Sequence, residues 1–405
     1  MKNHLLIKKF DWQFSGKSDY HEIHLLHPYF AKFNPKLPRQ LINILSKQND
    51  TVLDPFCGSG TTLVEATLQG RNAVGIDANP LGCFFTTVKS SSIKNSLLNT
   101  INNFLDIVEE SIDSYYGENN ILKTKQKKIN YSYPDFHNRD YWFTENALNE
   151  LGIIKAHIKT VGDKDLRNFL LLSFSRIILY ASNQQTESRY KRVDKKRGKK
   201  DIFLQYKKTL LKAKDIMSNY SMKRKNVIVN IFFKDSRYIN FIKRSSIDLI
   251  ITSPPYLNSW DYGLYHRFRF FWLDLNVHEY EEKEIGKHLR TLEGRSKSDE
   301  VERYRIDMSM CLKGFSKVLK KNKYCCIVNA NSIVKKRFID TNKILVDEAK
   351  KYNLHLVEIM DRKVFGPHYG MHASLNSKKI LVESETFVKE GKTNKKEQIL
   401  VFMKH

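Results

Sequence analysis

Residues 51 to 80 constrain the fold more than any other part of the chain. Thr51 to Leu53 is a short apolar run that breaks at Asp54-Pro55-Phe56-Cys57-Gly58-Ser59-Gly60-Thr61-Thr62, after which Leu63-Val64-Glu65-Ala66 has the character of a helix. A second apolar run, Ala73 to Ile76, ends at Asp77. Strand, glycine loop, helix and strand in this order make the opening unit of a doubly wound sheet. The glycines let backbone approach a ligand, and the helix N-terminus presents free N–H groups. An acid closing the second strand stands where it can accept the two hydroxyls of a ribose, although a plain strand-end turn residue would look the same. No Gly-Lys-Ser/Thr follows the glycines, so the loop lacks the lysine of a phosphate-gripping loop.

A second motif, Thr252-Ser253-Pro254-Pro255-Tyr256, closes the strand-like run Ile247 to Ile251. A serine hydroxyl and the backbone carbonyl beside it can accept both hydrogens of one amino group. The two prolines fix that carbonyl's direction, and the tyrosine ring offers a stacking face. Such a clamp suits a flat base that bears an exocyclic amine. Taken alone, the same residues would serve as a Pro-Pro turn behind a buried strand; the glycine loop upstream is what favours the clamp.

Together these residues resemble the amino-methyltransferases of DNA, which transfer a methyl group from S-adenosylmethionine to the exocyclic amine of cytosine or adenine. The resemblance rests on Asp54 to Gly60 as the cofactor loop and on Thr252 to Tyr256 as the catalytic clamp. It rests also on His27-Pro28-Tyr29-Phe30-Ala31-Lys32-Phe33, with Pro35 and Pro38, as the segment that precedes the loop. It covers roughly residues 20 to 80 and 226 to 275. It implies an α/β fold: a doubly wound, mostly parallel, seven-stranded methyltransferase sheet of Rossmann-like type with a helical insertion. It also implies S-adenosylmethionine as cofactor, with Asp54 near the methionine ammonium and Phe56 packed on the ligand. Gly58, Ser59, Gly60 and Thr62 would be in close contact with it, and Asp77 on the ribose. Asp235, in Lys234-Asp235-Ser236-Arg237, would accept from the adenine amine, and Lys32 and Phe33 would line the methionine side. Ser253, Pro254, Pro255 and Tyr256 would hold the base. A serine at the head of the clamp goes mostly with cytosine, and an Asp or Asn with adenine. The expectation is therefore cytosine-N4 methylation of double-stranded DNA in a restriction-modification system, with a companion restriction endonuclease as a further partner. Three other readings stay open: adenine-N6 methylation of DNA, methylation of an RNA amine, and a non-catalytic nucleic-acid binder on the same fold.

Charge agrees with a polyanionic partner, since the 405 residues carry a formal net charge of +25 and each neutralised phosphate releases counterions. No run of about eighteen apolar residues exists and the N-terminus meets lysines at once, which predicts a cytoplasmic protein with no membrane partner. The five cysteines show no C-x-x-C spacing, so no metal site is expected. His21, His24 and His27 are expected to pack or to face phosphate.

Along the chain, residues 1–80 form the first part of the catalytic domain and 227–405 the second. Residues 81–226 form a mostly helical insertion that is also a candidate target-recognition region. A helix is expected over Leu37 to Ser46. Further strands are expected at Val227 to Phe233, Tyr324 to Val328, His355 to Met360, Lys379 to Val382 and Gln398 to Phe402. Within the insertion, Leu97, Ile101, Leu105, Val108 and Ile112 keep a 3.6-residue period. Arg189 to Lys200 holds eight basic residues in twelve, which predicts either a solvated loop or a flexible arm on DNA phosphates. The aromatic, basic stretch Leu257 to Leu275 includes Trp260, and 277–305, highly charged, is the second candidate for sequence recognition.

Overall fold

The computed structural model describes residues 4–8, 10–14, 21–29, 32, 34–117, 129–187, 189–257, 262–286, 298–334, 337–363, 388–389, 392–393 and 396–405. Phe33, Trp260, the segment 287–297 and the strand expected at Lys379 to Val382 lie outside them.

Seven strands build one sheet: β1 (Thr51–Asp54), β2 (Asn72–Asp77), β3 (Val229–Phe233), β4 (Ile247–Thr252), β5 (Leu319–Asn329), β6 (Leu354–Lys363) and β7 (Lys396–Lys404). Their spatial order is β6-β7-β5-β4-β1-β2-β3. The five from β3 to β5 are parallel, and β7 runs antiparallel to both β5 and β6. This is the doubly wound, Rossmann-like α/β fold that the glycine-loop unit implied. The chain steps outward from β1 to β3, then returns to place β4 on the other side of β1. The crevice for a ligand opens at such a reversal, beyond the carboxyl ends of the strands.

The central strands are buried on both faces, and their alternation shows which residue serves which side. Val52, Leu249, Ile251, Cys326, Val328, Ile399 and Val401 meet α1 (Lys36–Leu45) and α2 (Thr61–Leu68), through Leu37, Leu41, Leu63 and Ala66 among others. Leu53, Ile250, Cys325, Ile327, Leu400 and Phe402 face the other way, onto Met308, Cys311, Leu312 and Phe315 of the helix Ser298–Val318 and Leu345 of the helix Thr341–Lys350. β3 is an edge strand. Its residues are exposed or half-buried, so its apolar composition records pairing rather than a core.

Between β2 and β3 the chain forms the helices Pro80–Ser90, Ile101–Tyr115, Glu145–Thr160, Lys164–Ala181 and Asp201–Lys223, among others. Ile101, Leu105, Val108 and Ile112 are all buried on one helix, but Leu97, read in the same period, is half-buried on the separate short helix Asn95–Asn99. Their cluster takes in Phe85 and Val88 of Pro80–Ser90, and also Phe268, Phe270 and Trp272 of the helix Tyr262–Trp272, which follows the clamp. Among the described residues no helix is long and apolar enough to cross a membrane.

The basic run differs from both forms expected for it, because much of it is anchored. Gln184–Thr186 and Arg189–Arg192 pair as an antiparallel hairpin. Beyond the hairpin, Lys195 Nζ donates to the carbonyl of Leu179 at 2.8 Å. Arg197 donates to that of Tyr180, with its guanidinium 3.6 Å from the centre of the Tyr180 ring. The last carbonyls of a helix have no intrahelical partner and carry partial negative charge. The end of Lys164–Ala181 thus recruits two of the run's cations.

β4 also shows how one strand separates stability from function. At its N-terminal end the buried Asp248 accepts from Thr51 N–H at 3.1 Å and from Lys320 Nζ at 2.8 Å, and pairs with Lys323 at 3.1 Å. Asp248→Ala should lower the stability read by urea denaturation by about 1–3 kcal/mol, since it removes the acceptor of the Thr51 N–H and the ion-pair partner of Lys320. Ligand binding at the opposite end of the strand should be unchanged.

Candidate active site

The two motifs meet at the carboxyl ends of β1 and β4, which are neighbours in register through Val52–Leu249 and Leu53–Ile250. Asp54 ends β1 and Thr252 ends β4, and the Thr252 hydroxyl donates to Asp54 Oδ1 at 2.7 Å with both residues buried. The same carboxylate oxygen accepts the N–H of Phe56 at 3.1 Å. Burial pushes the Asp54 carboxyl up to about 6, against the hydrogen bonds that favour its charge.

The glycine loop is bent by backbone that only glycine adopts cheaply. Gly58 and Gly60 have φ of +48° and +82°, and a Cβ on Gly60 would lie 2.9 Å from the Thr86 side chain. Asp77 ends β2 and accepts the N–H of Gly58 at 2.7 Å and that of Asn79 at 2.8 Å. Asn79 in turn caps the helix Pro80–Ser90 through Leu81 N–H at 2.9 Å. Asp77 is also pushed up to about 6, first by burial and further by the nearby Asp54. From beneath, Thr86 donates to the Gly58 carbonyl at 2.8 Å and the fully buried Lys89 donates to the Ser59 carbonyl at 2.6 Å. Ser59 and Thr62 are buried at the start of α2, and Phe56 is half-buried with its ring edge-on to Phe315 at 6.3 Å.

Three other elements close in on this loop. After β3, the Ser236 hydroxyl donates to the Pro55 carbonyl. Asp235 beside it is gripped by Arg237, whose Nη2 lies 2.6 Å from Asp235 Oδ2 and whose Nη1 reaches Asp307 at 2.8 Å. The Tyr29 ring lies where a Cβ on Gly58 would be 3.3 Å away, and it stacks on His266 at 5.2 Å and Tyr262 at 6.1 Å. The clamp itself is half-buried at Ser253, Pro255 and Tyr256 and buried at Pro254, with Ser253 Oγ donating to Tyr256 OH at 3.2 Å.

The histidines of the lead-in pack inside. His24 Nε2 lies 2.8 Å from Glu65 Oε1, and His27 bonds the Pro28 carbonyl and Ser175 Oγ. Neither faces phosphate, for both are buried. Lys32 donates to the His24 carbonyl at 2.9 Å. Sequence reasoning gave no role to Thr86, Lys89 or Arg237, and counted Thr252 only as the head of the clamp, not as a partner of Asp54. Lys89 carried one readable signal, a cation at the i+4 position from Phe85 on a face otherwise apolar or small.

A family model described as DNA methylase, of the N6/N4 type, matches residues 6–83, the span of the lead-in, the glycine loop and Asp77. Over most of its length the chain is 26% identical to Type II methyltransferase M.MvaI of Kocuria varians, covering 84% of each protein. It is likewise 26% identical to Type II methyltransferase M.MjaII of Methanocaldococcus jannaschii, covering 86% of this chain and 81% of that one. Across these matches the chain is similar to DNA amino-methyltransferases of the N6/N4 type. A shorter match, 45% identical, joins 12% of this chain to 16% of a tRNA (guanine(10)-N2)-dimethyltransferase of Methanothermobacter thermautotrophicus.

The cofactor of such an enzyme is S-adenosylmethionine, and the donor set fits it. A buried carboxyl, Asp54, and a half-buried one, Asp77, both pushed up to about 6, suit a ligand that brings cationic charge and hydroxyl donors. Asp54 supplies a test of the ligand-free state. Between its ordinary value of 3.8 and about 6, the folded chain holds a proton that the unfolded chain has released. Stability from this group therefore falls as pH rises through that window. Relative to Asp54→Asn, the parent should lose up to about 3 kcal/mol between about pH 4 and pH 7 in chemical denaturation. A flat difference would mean that Asp54 titrates normally.

Proposed function

We propose that this protein transfers a methyl group from S-adenosylmethionine to N4 of cytosine in duplex DNA, as the modification enzyme of a restriction-modification pair. The observation that carries the reading is the 2.7 Å bond from Thr252 to Asp54, which brings the Ser253 clamp against the cofactor loop. In this reading Asp54 takes the methionine ammonium and Asp77 the ribose hydroxyls. Gly58, Ser59, Gly60 and Thr62 frame the ligand, Phe56 packs on it, and Lys32 and Phe33 lie to the methionine side. Asp235 would accept from the adenine amine with an oxygen that it shares with Arg237. When bound, the cofactor supplies an electrophilic methyl group on a sulfonium, and the chain's own work is positioning. Ser253 Oγ and the Pro254 carbonyl accept the two amine hydrogens and turn the nitrogen towards a tetrahedral, nucleophilic geometry, while Tyr256 stacks on the ring. A base in duplex DNA must first be flipped out, at a cost of a few kcal/mol that phosphate contacts offset.

The serine supports cytosine over adenine, and the length of the match to Type II methyltransferases supports DNA over RNA. The tRNA match is confined to a small part of the chain. Duplex DNA and tRNA treated with labelled S-adenosylmethionine, then digested to nucleosides, should yield N4-methyl-2′-deoxycytidine. Label on adenine N6 would replace the base assignment, and label in tRNA alone would replace the substrate. Ser253→Ala should lower the rate with cofactor affinity nearly unchanged, whereas Asp77→Ala should weaken cofactor binding first.

The hairpin suits backbone contact on the insertion side, where target recognition is proposed ahead of the 277–305 segment. Arg189, Lys191 and Lys196 are exposed, while Lys195 and Arg197 hold helix carbonyls. Replacing the first three by Ala should weaken binding to every duplex alike and make the salt slope shallower by up to about three. The methylated site should stay the same. Replacing Lys195 and Arg197 should instead lower the melting temperature. An unchanged salt slope in the triple variant would remove the hairpin from the DNA surface.

A further inference from the structure

The clamp is connected to a part of the chain that none of the motifs covers. Arg362 on β6 and Glu397 on β7 stand opposite one another in the antiparallel register. Arg362 Nη1 donates to Glu397 Oε2 at 2.7 Å, with side chains only 9% and 14% exposed. The other oxygen, Glu397 Oε1, accepts from Tyr256 OH at 3.2 Å, and Tyr256 accepts from the Ser253 hydroxyl at 3.2 Å. Both O–H···O contacts are longer than the usual range of about 2.5–3.0 Å, as catalytic hydrogen bonds often are before substrate is present.

The order of donors along this chain follows from what each group is able to do. A guanidinium only donates and a carboxylate only accepts, so Glu397 receives from Arg362 on one side and from Tyr256 on the other. Tyr256 has one proton, and Glu397 takes it. The tyrosine oxygen is thereby left as an acceptor towards Ser253. Serine also has one proton, and Tyr256 takes that, so only lone pairs of Ser253 Oγ remain for the base. Burial and the Glu397 charge both keep the Tyr256 phenol protonated.

We propose that Arg362 and Glu397 are positioning residues which, acting through Tyr256, lock the Ser253 hydroxyl as a hydrogen-bond acceptor and so select an exocyclic amine over a ring carbonyl. The proposal rests on the methyl-transfer reading above. An amine conjugated with its ring offers hydrogens and no usable lone pair, so a locked acceptor matches it. A carbonyl in the same place would put two acceptors face to face, a mismatch that a polar site rejects strongly.

Glu397→Gln tests the lock without changing its shape. Arg362 draws the amide carbonyl to itself, so the amide nitrogen faces Tyr256 and donates. The chain then reverses, and Ser253 presents its proton to the base. The full-length parent, Glu397→Gln, Tyr256→Phe and the double variant are compared on the DNA site that the parent methylates. Each single variant should lose about tenfold to a hundredfold in kcat. The double variant should be no slower than the worse single, because both cut one chain. Cofactor affinity should stay within about twofold of the parent, as neither residue is assigned to the cofactor.

A second readout is duplex binding with the target amine replaced by a carbonyl, as uracil for cytosine. Parent and Glu397→Gln are each measured against the normal site. The preference for the amine should shrink by about tenfold in the variant, one hydrogen bond's reversal. A purely structural defect would not move that ratio. Parent-like kcat in Glu397→Gln, additive losses in the double variant, or an unmoved amine preference would each overturn the lock. A parent that methylates no nucleic acid at all would overturn the proposed function together with it.

Discussion

The hydrogen bond from Thr252 to Asp54 is the constraint on which the rest of the site depends. It crosses between β1 and β4, where the winding of the sheet reverses, and it is closed off from water. A carboxylate buried there needs partners. Thr252 supplies one from the end of β4 and Phe56 N–H another from the glycine loop. On the proposed reading, a single group thus fixes the distance between the surface for the cofactor and the surface for the base. In-line transfer of a methyl group tolerates little error in that distance. Placing the link inside a parallel sheet, rather than between two loops, gives it the rigidity of the ladder.

Around that link the loop is held through both its N–H groups and its carbonyls: Phe56 N–H bonds Asp54, Cys57 N–H the Ile76 carbonyl, Gly58 N–H Asp77 and Gly60 N–H the Cys57 carbonyl. Thr86 and Lys89 take the carbonyls of Gly58 and Ser59 from below, and Ser236 takes the carbonyl of Pro55 from beside β3. A lysine with no exposure is costly, and burial lowers the Lys89 ammonium well below its usual range. It persists because its donor meets a carbonyl that would otherwise be buried without a partner. Pre-ordering the loop in this way removes conformational entropy that ligand binding would have to oppose.

How much of this the sequence discloses depends on the range of the interaction. Strand periodicity is local, so β1, β2 and β4 were legible from Thr51–Leu53, Ala73–Ile76 and Ile247–Ile251. Turn chemistry is also local, which is why Gly58, Gly60 and the Pro254-Pro255 pair stood out. The helix Lys36–Leu45 and the buried face of Ile101–Tyr115 followed from their apolar spacing. What was not legible is pairwise and long-range. Nothing near Arg197 announces that the carbonyl of Tyr180 awaits it, and a basic run therefore looks solvated or flexible when it is partly anchored. Asp235 was visible as an acid after a strand, but its grip on Arg237, and through it on Asp307 seventy positions on, was not.

The antiparallel edge of the sheet makes the same point about function. β6 and β7 lie far from the glycine loop in sequence, and their composition is that of ordinary strands. Yet the reversal of β7 between β5 and β6 sets Arg362 directly across from Glu397, and that register aims a carboxylate at the clamp tyrosine. In a wholly parallel sheet every strand would offer only its carboxyl end to the crevice. Here β7 enters the sheet from that same edge, and Glu397 stands at its beginning, so the start of one strand and the end of its neighbour both face the site. The reversed strand therefore does more than join β5 to β6. It supplies a charged pair across one rung of the ladder, held by backbone hydrogen bonds on both sides, from which the orientation of a hydroxyl two residues removed can be fixed.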